Sequence, residues 1–271
     1  MTMLHGAFSL PRASFLRIAL LVVLLSSAPL WLHAQRLHAH RSHPRKVYAT
    51  VPAYDTPMTD KSIFAHVLLD QFEGRTSSAG TGLRWDGQGW IGGDVNRLWL
   101  KSEGFVRHGV MSDGIQEMLY DRPIPRLKYF DAQVGMRADL DSYPGRTWAA
   151  IGIEGIAPYF FEFEPTLYIR GGGHVAGRIN GAYNILLTQK LALRPNAELN
   201  FYSKDDPPRR VGSGFSDIDT GVRLEYQFSR KFAPYIGYAY AGDFGNSARY
   251  ARMDHDTTSN SQMVFGVRLW Y

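Results

Sequence analysis

From Ser62 to the end of the chain, apolar and polar residues alternate with a period of two, and the pattern recurs in about twelve segments separated by turn residues. The segments run over 62–73, 82–92, 96–106, 112–121, 128–140, 146–156, 159–170, 174–187, 191–203, 215–228, 232–243 and 261–271. Successive side chains of an extended strand point to opposite faces, so each segment has one apolar and one polar face. In 128–140, Phe130, Ala132, Val134, Met136, Ala138 and Leu140 oppose Asp131, Gln133, Arg137 and Asp139. In 159–170, Phe161, Phe163, Leu167 and Ile169 oppose Glu162, Glu164, Thr166, Tyr168 and Arg170. Val222 and Leu224 oppose Arg223 and Glu225, and Ile151 and Ile153 oppose Gly152 and Glu154. A tilted strand crosses a bilayer in roughly 9–11 residues, close to the length of these segments.

A secreted β-sandwich would also alternate in this way. The connections argue against it. Short ones (GGDVN, IAPYF, LLTQKL, SRKFAP) take turns with longer polar ones (RTSSAGTG, SKDDPPRRVGSG, GNSARYARMDHDTTSNS), as in outer-membrane barrels with short periplasmic turns and long external loops. The expected fold is all-β: a transmembrane antiparallel β-barrel of about 12 strands over 62–271. The tripeptide APY occurs at 157–159 and 233–235, which predicts two girdle tyrosines at headgroup level. Pro165 falls in mid-strand, where a missing donor predicts a local bulge.

The N-terminal end changes the picture further. Arg12 and Arg17 precede an apolar run from Ile18 to Leu32 that is interrupted by Ser26, Ser27 and Pro29 and followed by Ala34. Residues 1–34 therefore read as a signal peptide, and 35–61, basic and histidine-rich, as a flexible periplasmic leader. The expected location is the outer membrane of a Gram-negative bacterium, with lipid around the barrel and both termini in the periplasm.

The formal charge of +5 owes much to the N-terminal region, and no nucleic-acid-binding module is present. There is no cysteine, which removes disulfide and thiolate chemistry. No GxSxG, HExxH or P-loop motif occurs, so no enzyme activity is expected. The polar strand faces collect nearly balanced charges, among them Asp70, Glu117, Arg178, Glu198, Asp219, Arg223 and Arg268. Two readings of that lumen stay open: an ion-pair network that fills it, or a polar path for a cation.

Imidazole and thioether side chains, the ligands that suit copper, form three groups. His38, His40 and His43 lie together in the leader, His108 and Met111 in a predicted second external loop, and Met253 and His255 in the last loop. His174, at the outer end of its strand, could join the two loop pairs in a rim site.

Several long runs resemble the copper-resistance outer-membrane protein B family of Gram-negative bacteria: LLDQFE (68–73), RWDGQGWIGGDVNRLWLKSEG (84–104), APYFFEFE (157–164), LLTQKLALRPNAELNFYSKDD (186–206) and GSGFSDIDTGVRLEYQFSRKFAPYIGY (212–238). The resemblance covers essentially all of 62–271. It implies a barrel that binds copper ions or moves them across the outer membrane, encoded with periplasmic copper-handling proteins as possible partners. Many members carry repeated methionine motifs before the barrel, whereas here the leader offers Met58 and three clustered histidines. The alternative expectation is a structural or general small-solute barrel without direct copper binding.

Overall fold

The computed structural model describes residues 62–78, 80–140 and 145–271, and the side chains of 112 and 113 are outside the description. The expected signal peptide and leader, with His38, His40 and His43, lie outside the described residues. Thirteen strands follow in order: β1 (Phe64–Ser77), β2 (Gly80–Gly92), β3 (Arg97–Arg107), β4 (Val110–Pro123), β5 (Phe130–Asp139), β6 (Arg146–Ala157), β7 (Phe161–Arg170), β8 (His174–Tyr183), β9 (Ile185–Leu186), β10 (Leu191–Tyr202), β11 (Gly214–Tyr226), β12 (Phe232–Asp243) and β13 (Ser259–Trp270). Among the described residues one α-helix, α1 (Gly245–Met253), joins β12 to β13, and short 3-10 turns occur at Pro158–Phe160 and Pro207–Arg209.

Every neighbouring pair is antiparallel, and β13 pairs with β1, so the sheet closes on itself. The two-residue β9 continues β8 along β10 in the same register, with Ala192 opposite Leu186 and Asn196 opposite Ala182. The barrel thus has twelve staves. Closure leaves no edge with unpaired backbone groups, which is the condition for spanning hydrocarbon. Among the described residues no helix is long and apolar enough to cross a membrane.

The faces divide as the alternation predicts. Ile151, Val222, Met136, Phe265 and Ile236 stand exposed on the outer wall, while Arg137, Asp139, Arg223 and Glu225 are buried within. One row of the inner wall is apolar. It follows the cross-strand register from His66 through Trp90, Trp99, Leu119, Gly135, Ala150, Tyr168 and Ala176 to Tyr202. Because barrel strands are tilted, this single row climbs from near the start of β1 to the far end of β10. It packs as one cluster around Trp99, Leu119, Trp148 and Tyr168.

Three sequence expectations are corrected. Pro165 causes no bulge: Gly152 opposes Thr166 and Gly155 opposes Phe163, so no residue is inserted and only two pairings of β6 with β7 are lost. The bulge falls instead at Asp70, where pairing with β2 steps from Leu69–Gly87 to Gln71–Asp86. Of the two APY sequences, Tyr159 is exposed in a turn, but Tyr235 is buried inside β12. The long/short alternation is also weaker than expected, because β3 turns into β4 through His108 and Gly109 alone, and β7 into β8 through three glycines.

Candidate functional site

The bulge at Asp70 decides what the lumen holds. Before it, Leu68 and Asp70 face inward; after it, Gln71, Glu73 and Arg75 do, so two adjacent residues enter the interior. Glu73, fully buried, accepts from Arg75 at 2.8 Å, from Arg223 at 2.8 Å and from the Tyr235 hydroxyl at 2.9 Å. Arg75 continues to Asp219 at 2.6 Å. Asp70 is held by Arg268 at 2.8 Å and Arg194 at 3.3 Å. Burying ions in this way is tolerable only when each charge has a partner and its remaining hydrogen-bonding capacity is met.

A second set of pairs crosses the interior. Arg178 on β8 binds Glu103 on β3 and reaches Glu198 at 3.3 Å. Arg84 on β2 meets Glu198 on β10 at 3.4 Å and Asp219 at 3.6 Å. On β3, Lys101 donates to Glu154 at 2.9 Å, to Gln133 at 3.3 Å and to Glu164. Tyr168 on β7 donates to Glu117 on β4 at 2.6 Å.

Between these pairs lies a cavity of about 320 Å³ whose lining includes nine carboxylates and five cationic side chains. Most of the carboxylates are paired. Asp86 is an exception: it lines the cavity with no hydrogen bond and no salt bridge within 4 Å among the described residues, and Arg84 is the cation that acts on it at longer range. Acidic side chains thus outnumber cationic ones on this lining.

The sequence reading placed Asp70, Glu117, Arg178, Glu198, Asp219, Arg223 and Arg268 in the lumen, and all are there. It missed Glu73, Arg75, Arg84, Asp86, Lys101 and Glu103. Lys101 and Glu103 share their parity with Trp99, so the signal was in the alternation; Glu73 and Arg75 were hidden by the bulge, which reverses parity within β1.

The described metal-ligand candidates all lie at the end of the barrel away from the termini. His108 sits in the two-residue turn at a positive φ of 52°, beside Gly80 at the start of β2. Met111 is in strand β4, not in a loop, with its thioether against Gly114. His174 is the first residue of β8. Met253 ends α1 and is exposed, and His255 follows at a φ of 59°. Strand order puts β10 and β11 between β8 and β12, so His174 is separated from the Met253–His255 segment. Among the described residues no set of three or more His, Asp and Glu is arranged to hold a metal ion.

Above the wall at this end, Asp205 accepts from the Ser213 backbone N–H at 2.6 Å and from the Asn246 amide at 3.0 Å. These hydrogen bonds, the backbone one foremost, hold the Asp205 carboxyl below the usual carboxylate range. Ser247 joins Ser216 at 2.7 Å and accepts from the Gly212 N–H at 2.8 Å. Together they dock α1 and the β10–β11 connection on the barrel rim.

Comparison with known proteins gives a consistent result. The family model described as Copper resistance protein B precursor (CopB) matches residues 63–271. The copper resistance protein B homolog of Pseudomonas syringae pv. tomato is 37% identical over 212 residues, which is 78% of this chain and 71% of that protein. Copper resistance protein B of Escherichia coli is 38% identical over 212 residues, with the same shares of 78% and 71%. Among solved structures, the NanC porin aligns with a TM-score of 0.48 at 13% identity, over 76% of this chain and 99% of that one. The outer-membrane OmpT of Vibrio cholerae aligns at 0.38 and 11% identity, over 77% and 97%. With a family model spanning the barrel and two relatives well above 30% identity, the chain belongs to the copper resistance protein B family.

Proposed function

We propose that this protein contributes to copper resistance by taking up copper ions at the loop end of an outer-membrane barrel and passing them through the acidic lumen, with both termini on the periplasmic side. The observation that carries the reading is the cavity lined by nine carboxylates and five cations, with Asp86 outside the close ion pairs. Carboxylates are hard donors and hold copper less selectively than imidazole or thioether. That suits a path better than a storage site, because conduction requires binding weak enough to release. His108, Met111, His174, Met253 and His255 supply softer ligands at the loop end, and the leader histidines His38, His40 and His43 supply imidazoles before the barrel. Periplasmic copper-handling proteins are the expected partners at the other end.

A second reading has its own support. The pairs Arg178–Glu103 and Arg84–Glu198 span the interior, as expected of a filled structural barrel without copper traffic. The two readings differ in proteoliposomes. Copper entry that is faster with the protein than without it, and slowed by Asp86→Asn, supports the first. Copper entry at the rate of empty vesicles, with cellular copper tolerance unchanged by deletion of the protein, overturns it.

A further inference from the structure

The outer wall carries a short aromatic row at the loop end. Phe201 on β10 packs on Phe215 on β11 with ring centroids 5.3 Å apart, and Phe215 stacks on Phe244 at 4.7 Å. Phe201 and Phe244 are exposed. A second aromatic belt, including Tyr159, Phe160, Phe228 and Tyr271, lies at the termini end. From Leu191 to Phe201 the chain climbs ten residues, and at about 3.3 Å per residue and a tilt of ~40° this is roughly 25 Å. That matches the height of the apolar band of a transmembrane barrel. The row of three phenylalanines therefore marks the hydrocarbon edge on the loop side.

Helix α1 begins at the residue after Phe244. The headgroup layer is only about 5–7 Å deep on each side, so a helix that starts at the hydrocarbon edge has its first turns at headgroup level. One face of α1, with Ser247, Ala248 and Tyr250, is buried against the barrel. The other face presents Arg249, Arg252 and Met253, all exposed and at i, i+3, i+4 spacing. Neither Arg249 nor Arg252 makes a salt bridge within 4 Å among the described residues, and only the more distant Asp205 carboxylate acts on Arg249, whereas the neighbouring Arg210 is matched by Asp254 at 2.5 Å. The guanidiniums of Arg249 and Arg210 both approach the Tyr250 ring, at 5.6 and 5.9 Å from its centroid.

We propose that α1 is a lipid-headgroup site: Arg249 and Arg252 bind the phosphate of an anionic lipid in the leaflet on the loop side, and Phe201, Phe215 and Phe244 hold its acyl chain against the wall. Guanidinium groups suit phosphate because their paired N–H donors match its oxygens bidentately. The aromatic row supplies the apolar contact that distinguishes a lipid from a free anion. The site is independent of copper passage through the lumen.

The full barrel, purified and placed in mixed micelles, would be titrated with phosphatidylglycerol and with phosphatidylcholine, and lipid retention read by native mass spectrometry. The parent retains phosphatidylglycerol more strongly. Replacing both arginines (R249Q with R252Q) weakens that retention by about tenfold or more, as loss of charged hydrogen bonds predicts. The R249K and R252K pair restores part of it, and 10 mM inorganic phosphate leaves it in place. Equal retention of the two lipids by the parent, or equal phosphatidylglycerol retention by parent and glutamine variant, overturns the proposal. Displacement by inorganic phosphate overturns it as well, since that identifies a free-anion site.

Discussion

Arg178 on β8 and Glu103 on β3 stand five staves apart in a ring of twelve, and their side chains meet inside it. Their side chains are 8% and 14% exposed, so each charge depends on the other for compensation. Removing one partner, as in Glu103→Ala, should cost about 3 kcal/mol in a urea folding titration in lipid, and removing both should cost less than the sum of the single changes. The doubly substituted barrel should also conduct small ions in planar bilayers more readily than the parent. Additive costs together with unchanged conductance would show that this pair neither couples across the lumen nor obstructs it.

The outer wall gives a second test. Ile151 is 53% exposed on the face away from the lumen, near the middle of β6. Ile151→Arg should destabilise the barrel by roughly 2–4 kcal/mol in lipid, with much smaller costs for the same change near strand ends. Its inward neighbour Ala150 is completely buried against Tyr168, and Ala150→Arg should fail through steric overlap instead. Folding titrations in bilayers of different thickness separate the two mechanisms, because only the lipid-facing penalty depends on depth.

How much of this was legible beforehand follows from which physical signals are local. Alternation in 128–140 and 215–228 is a property of single strands, and it placed Arg137, Asp139, Arg223 and Glu225 inside and Val134 and Val222 outside, as found. The bulge at Asp70 depends on pairing with β2 and β13, so nothing within β1 marks it, and Glu73 and Arg75 were lost to a parity that reverses after it. Tyr235 shares the APY motif with Tyr159, yet it lies on the inward parity of β12 with Ala233 and Ala239, where its hydroxyl meets Glu73. The loop end was read least well. Met111 proved to lie in a strand and Met253 in a helix, and the helix docks through Ser247 and Asn246, whose partners are distant in sequence.

Two prolines predict where the wall is softest. Pairings between β6 and β7 are missing beside Pro165, and those between β8 and β10 are missing beside Pro195, where β8 gives way to β9. Both gaps flank the β7–β8 hairpin. Each proline removes one ladder donor, a loss of about 1 kcal/mol per site. Amides of β7 and β8 near these gaps should exchange with deuterium faster than those of the uninterrupted β2–β3 pair, read as peptide-level uptake in micelles. Equal protection across both hairpins would show that the gaps are compensated by the surrounding contacts.

The docking of the β10–β11 connection should depend on pH with a defined sign. The folded Asp205 carboxyl has a lowered pKa, so its contribution is fully present above the ordinary carboxylate value of about 3.9. It is lost as pH falls through the lower folded value. The Ser213 amide resonance should therefore stay constant from neutral pH to about pH 5 and move only in stronger acid. Asp205→Asn should remove that transition while leaving the barrel folded, because the site is at the rim. A Ser213 resonance that shifts between pH 7 and 5 would assign the clamp to another group.

Copper capture by histidine remains the sharpest functional question. His38, His40 and His43 lie within six residues of sequence, close enough to share one ion. His108, Met111, His174, Met253 and His255 lie in or beside three different hairpin ends at the loop end, and any ion shared between them requires those ends to move together. Imidazole must be neutral to bind, so leader binding should weaken as pH falls through the ordinary histidine range near 6.5. Titration of the mature protein with Cu(II), and with Cu(I) under reducing conditions, can be compared with two variants. One carries alanine at the three leader histidines and the other alanine at the five loop-end residues. Loss of one Cu(II) equivalent in the leader variant only would assign capture to the segment before the barrel. Loss of Cu(I) binding in the loop-end variant would assign it to the rim, where thioethers are available. Unchanged stoichiometry in both, with cellular copper tolerance intact, would exclude both groups and leave the carboxylates around Asp86 as the copper-facing part of the molecule.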